Sequence, residues 1–418
     1  YDLPASEEGL PGEGELRRYD GYVKRWTEAR TQWASEVQQD QGAVVFLGDS
    51  ITQGWGKTFR DQFPGMKVAN RGIGGDTTRG MLIRLQEDVL ALNPSAIVFL
   101  GGTNDIGVNI APDAIGRNFE KIVQAIKAHN LQVPIVLCRM FPSSETKGRP
   151  RKTIEAVNAL YDAAVKGDPQ ITVVDTWTLF ADAAGDARAD LFPDLLHLNE
   201  SGYARWGAAL RPVFATLGLI ETAPDDFELE PGFVSLFNGH DLTGWGFRPT
   251  PPRKQPKNPN PNAPVFVEIT EAENFDGKTK SSDGRYVAIN DRLVVTTPSE
   301  GRRIQQLWTT KEFSGDLILR LEFRATPNAD SGVFIKEPQL QCRDFLLAGP
   351  YKELTKFREG DWNELEVIVK DNVVTATCNG ELLTNEMAVP PTGPIGLEGD
   401  RGQMEYRRIR IKSLNQGE

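Results

Sequence analysis

The sequence predicts two domains in tandem, an α/β domain on a parallel sheet covered on both faces, then an all-β sandwich. Three observations lead there. Up to about residue 217, short uninterrupted apolar runs such as 44–47 and 96–100 alternate with stretches of helical periodicity. That is how parallel strands buried on both faces read. Near Thr222 the pattern changes to alternating apolar and polar residues, broken by turns such as Asp371-Asn372 and Asn379-Gly380, as sandwich strands do. The chain also has 418 residues, more than one ordinary core holds at about 150 residues per domain.

Taken in order, residues 1–13 are acidic and contain Gly and Pro, so a surface arm is expected. Residues 15–37 read as a helix with Tyr19, Tyr22, Trp26 and Trp33 on one face. Strands follow at 44–47 and 67–70, then a Gly-rich turn and a helix at 77–92. A strand at 96–100, a helix at 114–129 and a strand at 134–139 come next. A helix at 154–166, a strand at 171–175 and a closing helix at 201–217 complete the first domain, residues 1–222. Residues 223–232, with Ala223-Pro224-Asp225-Asp226 and Pro231-Gly232, read as a linker. In the second domain, 233–418, strands are expected at 292–297, 316–324, 332–336, 364–370, 373–378 and 405–412. Residues 248–264 are rich in Pro, Asn and Lys and read as a surface insertion. There is no solenoid-type repeat.

Composition narrows the function classes. Charged residues make up 25% and hydrophobic residues 39%, typical of a soluble globular chain. A formal net charge of -11 argues against nucleic acid or an anionic membrane surface as partner. No run is long enough to span a membrane. The chain begins at Tyr1 without a signal-like stretch, as a mature exported chain would, and a secreted or periplasmic location is the expectation. Cys138 reads as a buried thiol, and Cys342 and Cys378 pair if their strands are adjacent.

Four polar groups stand at the ends of the expected parallel strands: Gly48-Asp49-Ser50, then Gly72 to Thr78, then Gly101-Gly102-Thr103-Asn104-Asp105, and Asp194 with His197. A parallel sheet gathers the carboxyl ends of its strands on one edge, where ligands bind. Each group alone has a plainer reading. Asp49-Ser50 and Asp76-Thr77-Thr78 cap helices, and Asn104-Asp105 makes a turn. Together they supply a serine nucleophile, a histidine base, an orienting carboxylate and oxyanion donors. Of the 3 histidines, His129 sits near a helix end and His240 in an Asn-Gly turn. His197 alone has a carboxylate three residues before it. Competing motifs fail. Gly56-Lys57-Thr58 lacks the leading P-loop glycine, where Ile51 stands, and Thr77 takes the third glycine position of a dinucleotide turn. No Gly-x-Ser-x-Gly elbow is present.

The four blocks, in this order over roughly residues 40–217, resemble the SGNH/GDSL hydrolase superfamily. They look most like its branch of platelet-activating factor acetylhydrolase-type esterases and carbohydrate acetylesterases. The resemblance implies a three-layer, flavodoxin-like α/β domain that needs no cofactor and no metal. It implies Ser50 as nucleophile, His197 as general base and then acid, and Asp194 as its orienting partner. The Ser50 amide, the Gly75 amide and the Asn104 side chain would form the oxyanion hole, with Gly74 an alternative to Gly75. Asp49, Gly74, Trp55 and Phe141 are candidates for the substrate pocket, the two aromatics either closing it around a small acyl group or belonging to the core.

In the second domain, Leu236-Phe237-Asn238-Gly239-His240-Asp241-Leu242-Thr243-Gly244-Trp245 resembles the opening of a concanavalin A-like jelly-roll family linked to 3-keto-disaccharide hydrolysis. Ser331 to Ile335, Gly360-Asp361-Trp362-Asn363, Gly393 to Leu397 and Tyr406 to Lys412 match it too. The sequence departs from that family at Gln339, where an acidic residue is usual, and at Glu398-Gly399-Asp400, which lacks a histidine. The implied role is therefore to hold a glycan or shape the active-site rim, with Trp245, Trp308 and Trp362 as sugar platforms or core. The implied substrate is an acetylated polysaccharide or oligosaccharide. Two alternatives are a sandwich domain that itself cleaves 3-keto-glycosides, and a non-catalytic glycan-binding protein.

Overall fold

Five apolar runs of the first domain become one parallel sheet because each has few polar side chains to leave in water on either face. In the computed structural model they are β1 (Val44–Gly48), β2 (Val68–Gly72), β3 (Ala96–Leu100), β4 (Ile135–Cys138) and β5 (Ile171–Val174). The order across the sheet is β2-β1-β3-β4-β5, every pair parallel. The structure describes all residues except 221–224, 251–262, 264, 297–302, 344–348 and 415–418. It divides into two units, Tyr1–Glu221 and Thr222–Glu418. The start of the expected linker and most of the expected insertion at 248–264 lie outside the described residues.

Helices cover both faces of the sheet. They are α1 (Asp20–Glu36), α2 (Ser50–Gln53), α3 (Thr78–Asp88), α4 (Thr103–Gly107), α5 (Pro112–His129), α6 (Arg151–Val165), α7 (Thr176–Phe180) and α8 (Glu200–Thr216). Val45, Leu47, Ile97 and Phe99 face a core with Leu85, Phe119 and Tyr161. Val44, Phe46 and Val98 face the opposite core with Trp55, Phe141, Trp206 and Phe214. The strand order reverses between β2-β1 and β3, so the crevice above the ends of β1 and β3 is the topological switch point, where ligands bind in such sheets.

Two helix expectations change. The helix predicted at 15–37 starts at Asp20, because residues 15–19 stay extended, burying Leu16 and sending Arg17 to Gly75 and Asn104. The helix predicted at 77–92 ends at Asp88, and a 3-10 turn at Leu90–Leu92 leads into Asn93 with left-handed φ 45°. The expected surface arm is pinned. Arg79 donates to the Pro11 and Gly14 carbonyls and pairs with Glu7 at 2.5 Å.

The second unit is all β among the described residues. One sheet runs Tyr286–Ile289, Arg292–Val295, Met404–Ser413, Leu317–Ala325, Asn363–Lys370, Val373–Cys378, Glu381–Ala388, and its pairs are antiparallel. The other runs Gln339–Arg343, Asp330–Ile335, Ile395–Arg401, Arg303–Thr309, Trp245–Phe247, Glu273–Asn274, also antiparallel. A short parallel contact adds Val265–Phe266 to the Arg303 strand. Leu319, Leu321 and Phe323 alternate inward to meet Leu307, Val333 and Leu397 in one core. Cys342 and Cys378 lie on strands of different sheets, and both are free, buried thiols. The condition for their pairing, adjacent strands, is not met.

Candidate active site

The nucleophile position is made by the turn that ends β1. Asp49 leaves the strand at φ -108°, and its carboxylate accepts the Ile51 N–H at 2.9 Å, capping α2. Ser50 is thereby the first residue of α2, half-buried at the carboxyl edge of the sheet. The short helix lies hard against β2. A Cβ on Gly72 would come 2.3 Å from the Gln53 nitrogen, so no larger residue fits there.

His197 reaches Ser50 from the loop before α8, with Nε2 3.0 Å from the Ser50 Oγ. Its Nδ1 lies 2.8 Å from Asp194 Oδ2. With Nδ1–H donating to that carboxylate, Nε2 is the free acceptor that faces the serine hydroxyl. The Asp194 Oδ1 accepts the N–H groups of Leu196 at 3.0 Å and His197 at 2.7 Å. Partial burial works against the Asp194 charge. The hydrogen bonds from the His197 ring and from these two N–H groups outweigh it and hold the carboxyl at about 2. Between them Leu195 takes a left-handed φ of 60°, which costs a non-glycine residue about 1–2 kcal/mol. Ser143 holds that turn by donating to the Leu195 carbonyl at 2.8 Å.

The groups expected to bind an oxyanion come from three loops. The N–H groups of Ser50 and Gly75 make no hydrogen bond among the described residues, whereas Gly74 N–H is taken by Gln53 Oε1 at 2.8 Å. That leaves Gly75, rather than the alternative Gly74, with an amide to give. Gly75 has φ 90°, a conformation only glycine adopts freely. Asn104 is buried. One of its amide hydrogens goes to the Asp76 carbonyl at 2.9 Å, its Oδ1 accepts from Arg17 Nη1 at 3.3 Å, and the second amide hydrogen remains.

Several groups hold this loop, and two of them, Tyr22 and Arg84, carry no signal of that role in the sequence beyond helix amphipathicity. Asp76 is fully buried and takes Tyr22 Oη at 2.8 Å, Arg84 Nε at 2.8 Å and the Thr77 N–H at 3.0 Å. Asp105 binds Thr78 through its backbone N–H and at 2.6 Å through its hydroxyl, joining the Asn104 loop to the start of α3. Burial pushes both Asp49 and Asp105 up to about 7. Neighbouring carboxylates add to the rise at both, while the Ile51 N–H opposes it at Asp49 and the Thr78 groups oppose it at Asp105.

Of the two readings open for Trp55 and Phe141, the packing matches core. Trp55 stacks on Trp206 at 4.5 Å and meets Phe46 edge-on, and Phe141 packs on Phe180 at 4.6 Å. Both rings are buried in the core, since each face of a parallel sheet must be covered. Asp49 is likewise buried beneath the turn. A cavity of about 580 Å³ lies between α1 and β2, lined by Arg25, Lys57 and Arg60 together with the carboxylates of Glu28, Glu36 and Asp40, and none of Ser50, Asp194 and His197 lines it.

In the sandwich unit Trp245 is fully buried and donates its indole N–H to the Leu236 carbonyl at 2.7 Å, so it is core. Trp362 is covered by the guanidinium groups of Arg407 at 4.1 Å and Arg324 at 4.7 Å. Trp308 is half-buried against Phe334. In register beside it, Gln306 donates to Glu398 at 2.8 Å and Gln339 binds the other carboxylate oxygen. Burial holds the Glu398 carboxyl above the usual range, aided by Asp400 and Asp330 and opposed by the two glutamines.

Comparison with known proteins bears on both units. Residues 46–205 match the GDSL-like lipase/acylhydrolase family, and residues 232–412 match the 3-keto-alpha-glucoside-1,2-lyase-like domain. The first unit is similar to the platelet-activating factor acetylhydrolase IB subunit alpha2 of Rattus norvegicus, 30% identical over 48% of this chain and 88% of that protein. The Homo sapiens subunit is 29% identical with the same coverage. Among solved structures, a GDSL-like lipase from Bacteroides thetaiotaomicron is 26% identical over 45% of this chain and 97% of its own, with a TM-score of 0.41.

Proposed function

We propose, for a chain that joins a GDSL-like acylhydrolase domain to a 3-keto-alpha-glucoside-1,2-lyase-like domain, that it is a serine esterase removing small acyl groups, chiefly acetyl, from carbohydrate. The observation that carries this reading is the line from Ser50 through His197 to Asp194, at 3.0 and 2.8 Å. Ser50 Oγ attacks the ester carbonyl carbon while its proton passes to His197 Nε2. The carbonyl oxygen gains the charge and is met by the amides of Ser50 and Gly75 and by Asn104. Collapse breaks the bond to the alcohol oxygen, which takes the proton back from His197. Water, activated by the same imidazole, then releases the acid and restores Ser50.

The carbohydrate part of the reading draws on the second domain, whose half-buried Trp308 beside Gln306 and Glu398 offers an aromatic and polar surface to a sugar. We place the protein outside the cytoplasm, where acetylated polysaccharides are met. The test is acetate release from acetylated xylans, pectins and simple acetyl-sugars by the parent and by Ser50→Ala. Release that the variant abolishes supports the esterase and names its glycan. Release that survives in the variant, or none from any member, overturns it.

A further inference from the structure

We propose that the ester taken by this site carries a carboxylate beside the scissile bond, as in an acylated uronic acid, and that Arg17 and Arg149 hold it. This rests on the esterase reading and names its substrate class.

The observation is three guanidinium groups that hold the loops of one site and make no ion pair among the described residues. Arg17, Arg25 and Arg149 form no ion pair among the described residues, while nearby Arg18, Arg30, Arg71, Arg79 and Arg84 all do. Each of the three is instead fixed by neutral oxygens of the oxyanion loops. Arg17 Nη1 donates to the Gly75 carbonyl at 3.2 Å and to Asn104 Oδ1. Arg25 Nε donates to the Gly74 carbonyl at 2.9 Å. Arg149 Nε donates to the carbonyl and hydroxyl of Thr103, the residue before Asn104, at 3.0 and 3.1 Å. Carbonyl oxygens orient a guanidinium without cancelling its charge.

Donors remain for a ligand. A guanidinium has five N–H bonds in a planar fork that fits a carboxylate. Arg17 spends Nη1, and Arg149 spends Nε and Nη1, leaving its Nη2 without a hydrogen bond among the described residues. Gly107 makes room for that nitrogen, since a Cβ there would lie 2.6 Å from it. Burial, and then the like charge of Arg17, weaken the hold of Arg149 on its proton, while Asp49 and Asp194 support it. Arg17 and Arg149 repel each other, and two like charges lower their mutual energy when an anion lies between them.

The test uses the full chain and a matched pair, acetylated galacturonic acid and its methyl ester, which differ in the one charge. The parent is expected to favour the free acid in kcat/KM by about tenfold or more, the factor of one charge-assisted hydrogen bond. That preference shrinks with added salt and falls toward unity in Arg149→Gln and in Arg17→Gln, two changes on separate segments. Arg149→Lys, which keeps the charge and loses the fork, retains part of it. A succinyl ester of galactose distinguishes a carboxylate on the acyl side from one on the sugar. Melting temperatures separate lost preference from lost folding. Equal rates on the acid, the methyl ester and the succinyl ester, with 4-nitrophenyl acetate cleaved by the parent and not by Ser50→Ala, overturn the carboxylate site and leave the esterase standing. If no ester is cleaved, the esterase reading falls. Calorimetry of Ser50→Ala then decides the site, with tighter binding of galacturonate than galactose supporting it and equal or absent binding overturning it.

Discussion

Tyr22 in α1 donates its hydroxyl to Asp76 Oδ1 at 2.8 Å, joining the first helix of the chain to the loop that presents the Gly75 amide. Both side chains are buried. Burial, reinforced by the Asp76 charge, pushes the Tyr22 hydroxyl far up, so it remains a donor at every physiological pH. Asp76 in turn fixes Asn104 through its own backbone carbonyl. A helix that precedes the matched family region therefore helps to set two of the three oxyanion donors.

Tyr22→Phe keeps the ring and removes that bond, leaving Asp76 Oδ1 with the Thr77 N–H. We expect a loss of about 1–3 kcal/mol in urea unfolding, the range for a buried acceptor deprived of a partner. We also expect kcat to fall more than KM rises, measured on any cleaved ester. An unchanged kcat would show that the loop holds its geometry without α1.

Asp194→Asn tests the orienting role. The amide still fits the turn but no longer matches the imidazole Nδ1–H on both charge and tautomer. A fall in kcat of about 10²–10⁴ is expected, on the scale seen when a triad carboxylate is neutralised. Burst kinetics with a chromogenic acetate would show whether acylation is the step that slows.

Asn104→Ala removes the side-chain donor while leaving the Ser50 and Gly75 amides in place. The expected drop in kcat is about 10²–10³, the effect of losing one oxyanion donor. A matching rise in KM with kcat intact would instead assign Asn104 to ground-state binding.

The buried Asp49 carboxyl gives a pH signature in stability. It titrates at about 7 in the folded protein against an ordinary 3.8. Between those values the native state holds a proton that the unfolded chain has lost, so stability falls as pH rises from about 4 to 7. Asp105 acts in the same direction. Unfolding free energy measured against pH should therefore show a shallower decline over this interval in Asp49→Asn than in the parent.

Trp55→Ala separates core from pocket. Loss of a buried ring stacked on Trp206 should cost about 3–5 kcal/mol, read by denaturant melting. The ratio of acetyl to butyryl ester hydrolysis should stay as in the parent. A changed ratio at preserved stability would return Trp55 to the acyl pocket.

The parallel sheet and the gathering of four blocks on one edge were legible in the sequence because both follow from local signals, apolar runs and turn residues at their ends. At Trp55 and Phe141 the same local signals left pocket and core both open, and the structure packs the two rings among core aromatics. Trp245 and Trp362 show the complementary limit. A tryptophan in a sandwich strand carries no mark of whether its ring meets the core, a guanidinium or a sugar.

The sequence by itself determined two domains, the parallel sheet of the first, the β character of the second, and the group of residues from which a triad and an oxyanion hole are drawn. Tertiary structure alone decided that residues 15–19 stay extended, and that, among the described residues, the Gly75 amide is free where that of Gly74 is taken and Arg17, Arg25 and Arg149 bind the site loops without an ion pair. The reason is one of range. Periodicity and turn chemistry act over a few residues. Arg17 meets Asn104 across 87 positions, and Ser50 meets His197 across 147, so these contacts exist only once the strands have brought their ends together.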